Sequence, residues 1–235
     1  MPISSHLAMN YEFQDFNGAD SIFGEIAADE WSDLEAILTA LPFFLQPSDQ
    51  AQRIGIPIFD PKATNAYLTV AAASFGWKAI PVPDELTMFG KDWDGGRASV
   101  LAEWQFSNYP FLWNNVIRSE AVFKSRVVLK GLQPVNALVI VTKSGALPAS
   151  NSTLYYEQAC AQLTAVTNYD TFAIPIRVVG LTIPKSDRIS ATWTEYPSRY
   201  ARQGGIAVNR TFLVTRMRAN QYGVQGVRFA LEDPN

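Results

Sequence analysis

Asp94, Glu103 and Gln105 are the residues whose types and spacing could carry chemistry. Glu103 and Gln105 lie two residues apart in a segment that alternates in polarity like a β-strand, so both side chains project from one face. Asp94 ends the extended stretch before it, and a turn at Gly95-Gly96 would fold the two stretches into a hairpin. Such a hairpin brings the two carboxylates within reach of one Mg²⁺ ion, which prefers oxygen ligands.

A cation bound by both carboxylates would lower the pKa of a bound water and neutralise charge that develops on a phosphate ester. The backbone carbonyl of Trp104 could supply another ligand. The Gln105 amide could orient the attacking water, but it cannot serve as a general base because an amide does not titrate near neutral pH. Two alternatives stay open from spacing alone. The acidic residues could simply be solvated, or they could be the carboxylate pair of a glycosidase.

The elements that must position these residues follow from the apolar pattern. It predicts helices over 29–45 with a stop at Pro42, and over 65–74, 110–124 and 152–166. It predicts strands over 99–106, 137–142 and 172–181, an extended stretch over 80–94, and short alternating strands between 189 and 229. In the helix over 110–124, the residues predicted to face the core are Phe111, Val116 and Val122. The order of these elements indicates an α/β fold.

The composition excludes several classes of protein. A chain of 235 residues that is 48% hydrophobic can form one substantial folded unit. No apolar run is long enough for a transmembrane helix, and the first residues predict no secretory signal. Cys160 is the single cysteine and His6 the single histidine, which argues against a disulfide, a cysteine-rich zinc site and catalytic cysteine chemistry. A reducing cytoplasm fits these features.

The charge is distributed unevenly along the chain. Residues 1–123 carry six Lys/Arg and sixteen Asp/Glu, which gives −10, and residues 124–235 carry thirteen Lys/Arg and six Asp/Glu, which gives +7. The two halves sum to the net charge of −3. A basic second half could supply a surface that faces a polyanion such as DNA. It could equally be a solvated face that the acidic half neutralises.

Three long strings of residues carry a resemblance to a known family. They are SDQAQRIGIPIFDPKATNAYL, LAEWQFSNYPFLWNNVIRSE and LPASNSTLYYEQA, and the similarity extends from about residue 16 to about residue 202. The chain resembles the BglII family of type II restriction endonucleases, in the PD-(D/E)xK nuclease superfamily. The resemblance implies a restriction-endonuclease-like fold with a mixed central sheet flanked by helices. It also implies a catalytic core over 1–185 and a C-terminal β-rich, DNA-contacting subdomain over 186–235, in one folded unit.

The resemblance also assigns roles to the residues of the candidate site. Asp94 and Glu103 become Mg²⁺ ligands, the Trp104 carbonyl becomes a third ligand, and Gln105 takes the position where the superfamily usually has lysine. The family has an asparagine just before the Ile-Pro-x-Pro segment, whereas this chain has Ala79. This difference bears on how the attacking water is positioned and not on the metal ligands.

To recognise a specific DNA sequence, such an enzyme needs side chains that reach the edges of the bases in the major groove. The resemblance implies three DNA-reading pairs, namely Ser107 with Asn108, Asn151 with Ser152, and Tyr200 with Arg202. Each pair has a simpler alternative. The first pair could form only a turn before a helix, the second could be a helix N-cap, and the third could stabilise a surface loop.

The family's recognition sequence is a palindrome, AGATCT, of which the central GATC is the firmer inference. A palindrome mirrors a two-fold symmetric protein, so a homodimer acting on double-stranded DNA is implied. A restriction–modification system further implies a cognate DNA methyltransferase that acts on the same site without needing to bind this chain. The function predicted is therefore Mg²⁺-dependent hydrolysis of duplex DNA that leaves 5′-phosphates. The alternative is a catalytically silent DNA-binding module of the same fold.

Overall fold

The structure is a computed structural model that describes residues 8–150, 152–198, 201 and 204–232. A six-stranded sheet carries the candidate site. In spatial order its strands are β1 (Asn10–Phe16), β8 (Ile176–Thr182), β7 (Ala137–Lys143), β6 (Val100–Trp104), β5 (Asp92–Arg97) and β4 (Lys78–Pro81). Strands β6, β7 and β8 are parallel, and the outer strands pair antiparallel, so the sheet is mixed as predicted.

A second, five-stranded sheet contains the C-terminal strands. Its spatial order is β11 (Gln225–Leu231), β10 (Ile206–Ala219), β9 (Arg188–Glu195), β2 (Phe44–Pro47) and β3 (Pro57–Phe59). The short strands predicted between 189 and 229 are therefore present. They do not form a sheet of their own, because β9 pairs in parallel with β2 from the N-terminal half. The division of the chain at residue 185 stays a prediction.

Helices cover both faces of the first sheet. They are α1 (Ala19–Ser21), which runs into a π-helical segment (Ile22–Ile26), α2 (Ala28–Thr39), α3 (Pro61–Ser74), α4 (Phe111–Ser125) and α5 (Tyr156–Thr167). A 3₁₀ helix covers Asp84–Phe89. No helix in the described part of the chain is long and apolar enough to cross a membrane.

The alternation in β6 separates two hydrophobic cores. Val100, Ala102 and Trp104 belong to the core that α2, α3 and the second sheet share, whereas Leu101 faces the core against α4 and α5. Glu103 lies on the α4 side because successive strand residues point to opposite faces. The polarity pattern of the segment therefore predicted correctly which side chains share a face.

The turn predicted at Gly95-Gly96 is wrong. Both glycines lie inside β5, and the chain turns at Ala98 and Ser99, with Ala98 at a φ of 44°. The glycines leave room for neighbouring side chains instead. A Cβ on Gly96 would collide with Ile80, and one on Gly95 would lie 3.3 Å from the Trp77 ring. Close packing against β5 accounts for this glycine pair.

Other boundaries also differ from the prediction. The first predicted helix ends at Thr39, and the residues after Pro42 form strand β2 instead. Residues 84–89 are helical and not extended. Helix α5 begins at Tyr156 and β8 at Ile176, each four residues later than predicted. Pro175, which has no backbone N–H, directly precedes β8.

Two of the three residues predicted to face the core from α4 are buried. Val116 and Val122 are buried, but Phe111 is exposed because it is the first residue of the helix and Leu112 takes the buried position.

Candidate nuclease site

The strand register brings Asp94 and Glu103 together. In the β5–β6 pair, Gly95 lies opposite Ala102, so the next residues along each strand are Asp94 and Glu103. Their carboxyl groups lie close enough for each to shift the pKa of the other. The backbone N–H of Trp104 also donates to Asp94 Oδ2 over 2.8 Å. The hairpin thus joins the two acids into one cluster, as their spacing predicted.

The surroundings disfavour two free negative charges in this cluster. Burial raises the pKa of Glu103 to about 8, with the neighbouring Asp94 carboxylate raising it further and Arg118 opposing the shift. Burial likewise raises the pKa of Asp94, although the Trp104 N–H and Arg118 oppose it. A pair of carboxyl groups that holds a proton in the absence of metal is suited to exchange that proton for a cation.

Arg118 from α4 is the cationic partner that the sequence reasoning missed. Its Nη2 donates to Glu103 Oε1, and both side chains are almost fully buried. The guanidinium carbon lies 5.0 Å from the centre of the Trp93 ring. Its Nη1 packs against Gly90, where a Cβ would collide with it. The pocket therefore fixes one guanidinium position, and only a glycine at position 90 leaves room for it.

Asn115 is the second residue that the sequence reasoning missed. Its Nδ2 donates to Gln105 Oε1 over 2.9 Å. Asn115 and Arg118 lie three residues apart on one buried face of α4. Asn115 contacts Gln105, directly after the end of β6, and Arg118 contacts Glu103 on β6. The i, i+3 spacing of polar residues in LWNNVIRSE was the available signal, because such residues share a helix face.

The donor atoms in this cluster fit a hard divalent cation. In the part of the chain that the structure describes, no three His, Cys, Asp or Glu side chains cluster. Mg²⁺ is commonly held by only one or two carboxylates, with water and phosphate oxygens completing its shell. The Trp104 N–H faces Asp94, and the N–H and C=O of one strand residue point to the same side. The Trp104 carbonyl accepts from the Phe106 N–H over 3.2 Å, and with its remaining lone pair it could contribute a third oxygen.

The exposed turn at Ser107 and Asn108 comes after β6 and the two residues Gln105 and Phe106. Gln105 Nε2 donates to Ser107 Oγ over 2.8 Å, and the Leu154 N–H donates to the Ser107 carbonyl over 3.0 Å. Asn108 forms an isolated antiparallel bridge with Thr153. The simpler alternative for Ser107 and Asn108, a turn before a helix, therefore describes the local structure correctly. The turn also joins the site to the loop that contains Ser152.

Ser152 does not cap a helix. It is exposed at a φ of 62°, and α5 starts only at Tyr156, with Tyr155 as N-cap residue. The N-cap alternative is therefore wrong for this residue. The remaining predicted DNA-reading residues, Asn151, Tyr200 and Arg202, lie outside the described residues.

Ala79 lies at the irregular part of the β4–β5 pair. Lys78 is opposite Gly96 and Ile80 is opposite Trp93, which puts Ala79 level with Asp94. Its methyl group is exposed and provides no polar atom beside the carboxylates. The position that has an asparagine in the resembled family therefore borders the cluster.

Comparison with known proteins agrees with this geometry. The family model described as "Restriction endonuclease BglII/BglIII" matches residues 11–181. The chain is 40% identical over 196 residues to the type II restriction enzyme BglII of Bacillus subtilis, which covers 83% of this chain and 86% of the relative. The chain belongs to the restriction endonuclease BglII/BglIII family. Its members include type II site-specific deoxyribonucleases, which is the class of enzyme that the resemblance predicted.

Two solved structures extend the BglII/BglIII likeness beyond the region of the family model. The crystal structure of BglII complexed with a DNA 16-mer superposes with a TM-score of 0.87 at 35% identity. The crystal structure of free BglII superposes with a TM-score of 0.70 at 30% identity. Each match covers 95% of this chain and 100% of the other chain, so the second sheet belongs to the shared fold.

Proposed function

We propose that this BglII/BglIII-family chain hydrolyses duplex DNA at a palindrome that contains GATC, with AGATCT as the full site, in a reaction that needs Mg²⁺ and leaves 5′-phosphates. The observation that carries the proposal is the Asp94–Glu103 pair of the β5–β6 hairpin, half-buried at Asp94 and buried at Glu103, with the exposed turn at Ser107 and Asn108 a few residues further along the chain. This arrangement puts groups that can hold a cation next to groups that can touch bases.

Asp94, Glu103 and the Trp104 carbonyl are the proposed Mg²⁺ ligands. When bound, the metal supplies a water of lowered pKa and stabilises negative charge on the phosphate. Arg118 holds Glu103 in place through its buried ion pair. Asp94 is fixed by the Trp104 N–H. These contacts keep both carboxylates oriented towards a shared cation.

Three DNA-reading segments are part of the proposal, with Asn151, Tyr200 and Arg202 joining the exposed Ser107, Asn108 and Ser152. Arg210, Arg218 and Arg228 are exposed on the C-terminal strands, and no hydrogen bond or ion pair is seen for them within the described residues. These arginines could neutralise phosphates, which supports DNA as the partner of the basic second half.

The alternatives fit the site less well. A retaining glycosidase needs its carboxyl groups about 5 Å apart and an inverting one needs a larger gap. Asp94 and Glu103 instead lie side by side on paired strands, and Glu103 is also bound by Arg118. A silent DNA-binding module would have no use for a buried pair of carboxylates with its own arginine. The retained Asp94, Glu103 and Arg118 set therefore favours an active enzyme. A prokaryotic cytoplasmic location, with a cognate methyltransferase protecting host DNA, completes the proposal.

Digestion of an unmethylated plasmid tests this function. We expect discrete fragments with Mg²⁺ and intact plasmid with EDTA. Specific binding without any cleavage in Mg²⁺ would instead support the silent module.

A homodimer is proposed because a palindrome presents two equivalent half-sites. The outer face of α4 offers a surface for it. Tyr109, just before the helix, and Phe111 and Ile117 on it are large apolar side chains that are 45%, 45% and 46% exposed. Exposed apolar side chains in one region of the surface are typical of a protein–protein interface.

Ile117→Asp is expected to weaken the dimer at least about a hundredfold, because a carboxylate buried without a partner costs about 3 kcal/mol or more. Sedimentation velocity across a concentration series measures the dissociation constant. Val70→Asp on α3 is the matched control, since Val70 is 73% exposed and lies on another helix. Equal dimer stability in Ile117→Asp and wild-type protein would rule out this surface.

The affinity for divalent cations is expected to rise with pH. Since burial raises the pKa of Glu103 to about 8, binding of a cation near pH 7 must displace a proton from this carboxyl. The apparent affinity should increase about tenfold per pH unit up to about pH 8, and level off above it. Calorimetry with Ca²⁺, in buffers of different ionisation enthalpy, measures both the affinity and the released proton.

The control for this experiment is Glu12→Gln. Burial also raises the pKa of Glu12, but this residue lies on β1 away from the site, so its replacement should leave the pH profile unchanged. An affinity that stays constant from pH 6 to 8 would contradict a role for Glu103 as a protonated ligand.

A further inference from the structure

The Gln105 side chain is held at both ends. Its carbonyl accepts from Asn115 Nδ2 over 2.9 Å, and its amide nitrogen donates to Ser107 Oγ over 2.8 Å. A longer contact of 3.5 Å joins the same nitrogen to the Asn108 carbonyl. Gln105 and Asn115 are 6% and 4% exposed, so water does not compete for these contacts. The donors of Gln105 thus point to the turn after β6 and not towards the carboxylates.

We propose that Asn115 is a positioning residue that fixes Gln105 as a link between the catalytic strand and the DNA-reading turn. The inference rests on the proposed function. Gln105 directly follows β6, two residues after Glu103, and its backbone N–H donates to the Val141 carbonyl of β7 over 2.8 Å, so a shift of Gln105 is passed to the strand that carries Glu103. A base pair that displaces Ser107 therefore displaces the carboxylate that holds the metal.

The link reaches more than one DNA-reading segment. The Ser107 carbonyl accepts from the Leu154 N–H over 3.0 Å, and the Tyr109 N–H donates to the Ser152 carbonyl over 3.2 Å. The turn and the loop that contains Ser152 consequently form one connected unit. Small misplacements of reacting groups cost large factors in rate, so this unit can make cleavage more selective than binding.

Asn115→Asp tests the link with almost no change of shape. A carboxylate cannot donate to Gln105 Oε1, so the amide must turn, and Ser107 loses its donor. We expect kcat on a duplex with AGATCT to fall at least about tenfold while kcat on a duplex with one altered base pair falls less, because a lost buried hydrogen bond costs about 1–3 kcal/mol. The ratio of the two rates should drop by at least about tenfold. Binding of either duplex in Ca²⁺ should change by less than about threefold.

Asn17→Asp is the control for a purely structural effect. Asn17 Nδ2 donates to the carbonyls of Phe172 and Ile174, in the segment before β8, over 3.1 Å each. This variant should lose stability but keep the wild-type cleavage ratio. If Asn115→Asp also keeps the wild-type ratio, Asn115 is a packing residue only and the proposal is overturned.

A double-mutant cycle examines the link itself. Ser107→Ala and Asn115→Asp break the same chain of contacts from its two ends, so their combined loss of kcat should be close to the larger single loss. Strictly additive losses of activation free energy would overturn the proposal.

One measurement needs no cleavage. In the protein without DNA or metal, Asn115→Asp should shift the backbone amide NMR resonances of Ser107 and Asn108, whereas Asn17→Asp should not. Absent shifts would overturn the link even if the wild-type protein cleaves. If these shifts occur but the wild-type protein cuts no duplex, the proposed function fails and the link stands.

Discussion

A plasmid that carries AGATCT is expected to remain intact when Asp94→Ala or Glu103→Ala protein is added with Mg²⁺. Either change removes a proposed ligand of the metal and leaves the other carboxylate without its partner in the cluster. Stabilisation of charge by a bound metal is worth several kcal/mol, so the rate of cleavage should fall at least about a thousandfold. Initial rates of supercoiled plasmid loss give this factor.

DNA binding should survive these changes. The carboxylates repel phosphate, so their removal should leave the affinity for an AGATCT duplex equal or higher when it is measured without metal. Asp92→Ala is the matched control, because Asp92 is an exposed acid two residues before Asp94 on the same strand. It should cleave like the wild-type protein. Wild-type cleavage rates in Asp94→Ala protein would remove the basis of the proposed mechanism.

The second large effect is expected on stability. Arg118→Met should lower the free energy of unfolding by about 3–5 kcal/mol, because it leaves Glu103 as a buried carboxylate without its counter-charge. Urea unfolding in EDTA measures the change. The loss should be larger at pH 8.5 than at pH 6, since a carboxyl group with a raised pKa avoids the penalty at low pH by staying protonated.

The sign of this pH dependence follows from where the proton binds. Between the ordinary pKa of a glutamate and the raised pKa of Glu103, the folded state holds a proton that the unfolded state has released. The stability contributed by this proton is present at low pH and is lost as the pH rises through about 8. Removing Arg118 raises the pKa of Glu103 further, because the guanidinium lowers it. In Arg118→Met protein, the stability contributed by this proton is therefore lost at a higher pH.

A double variant separates charge from packing. Glu103→Gln combined with Arg118→Met replaces the ion pair by neutral side chains and should recover part of the lost stability. Arg118→Lys keeps the charge and should lose less than Arg118→Met. If Arg118→Met unfolds at the wild-type urea concentration, the ion pair does not hold Glu103 in the way the structure indicates.

The part of the site that sequence reasoning predicted correctly is its strand. The alternation from Val100 to Trp104 indicates which side chains share a face, since successive side chains of an extended backbone point to opposite faces whatever their type. The pairing of Asp94 with Glu103 was also correct, although the turn was assigned to Gly95-Gly96 and lies at Ala98. A glycine pair has two physical uses, a turn or close packing, and only the neighbouring strand distinguishes them.

The contribution of α4 could not be derived from apolar spacing. Asn115 and Arg118 are polar residues that such a pattern assigns to a solvated face. They are buried because Glu103 on β6 and Gln105 directly after it offer partners, and this contact depends on how the helix crosses the sheet. Strands β2 and β3 were missed for a similar reason. Each is only a few residues long, and β2 is stabilised by pairing with β9, which is distant in sequence.

Mapping the ends of cleaved DNA tests the central claim most directly. A plasmid of known sequence, free of methylation, is incubated with the wild-type protein and Mg²⁺, and both ends of every fragment are sequenced and checked for 5′-phosphate. We predict breaks in both strands within each AGATCT, at symmetric positions, with 5′-phosphates and no breaks when EDTA replaces Mg²⁺. Breaks scattered over unrelated sequences, or intact DNA in Mg²⁺, would contradict the proposal that the Asp94–Glu103 hairpin is the centre of a site-specific nuclease.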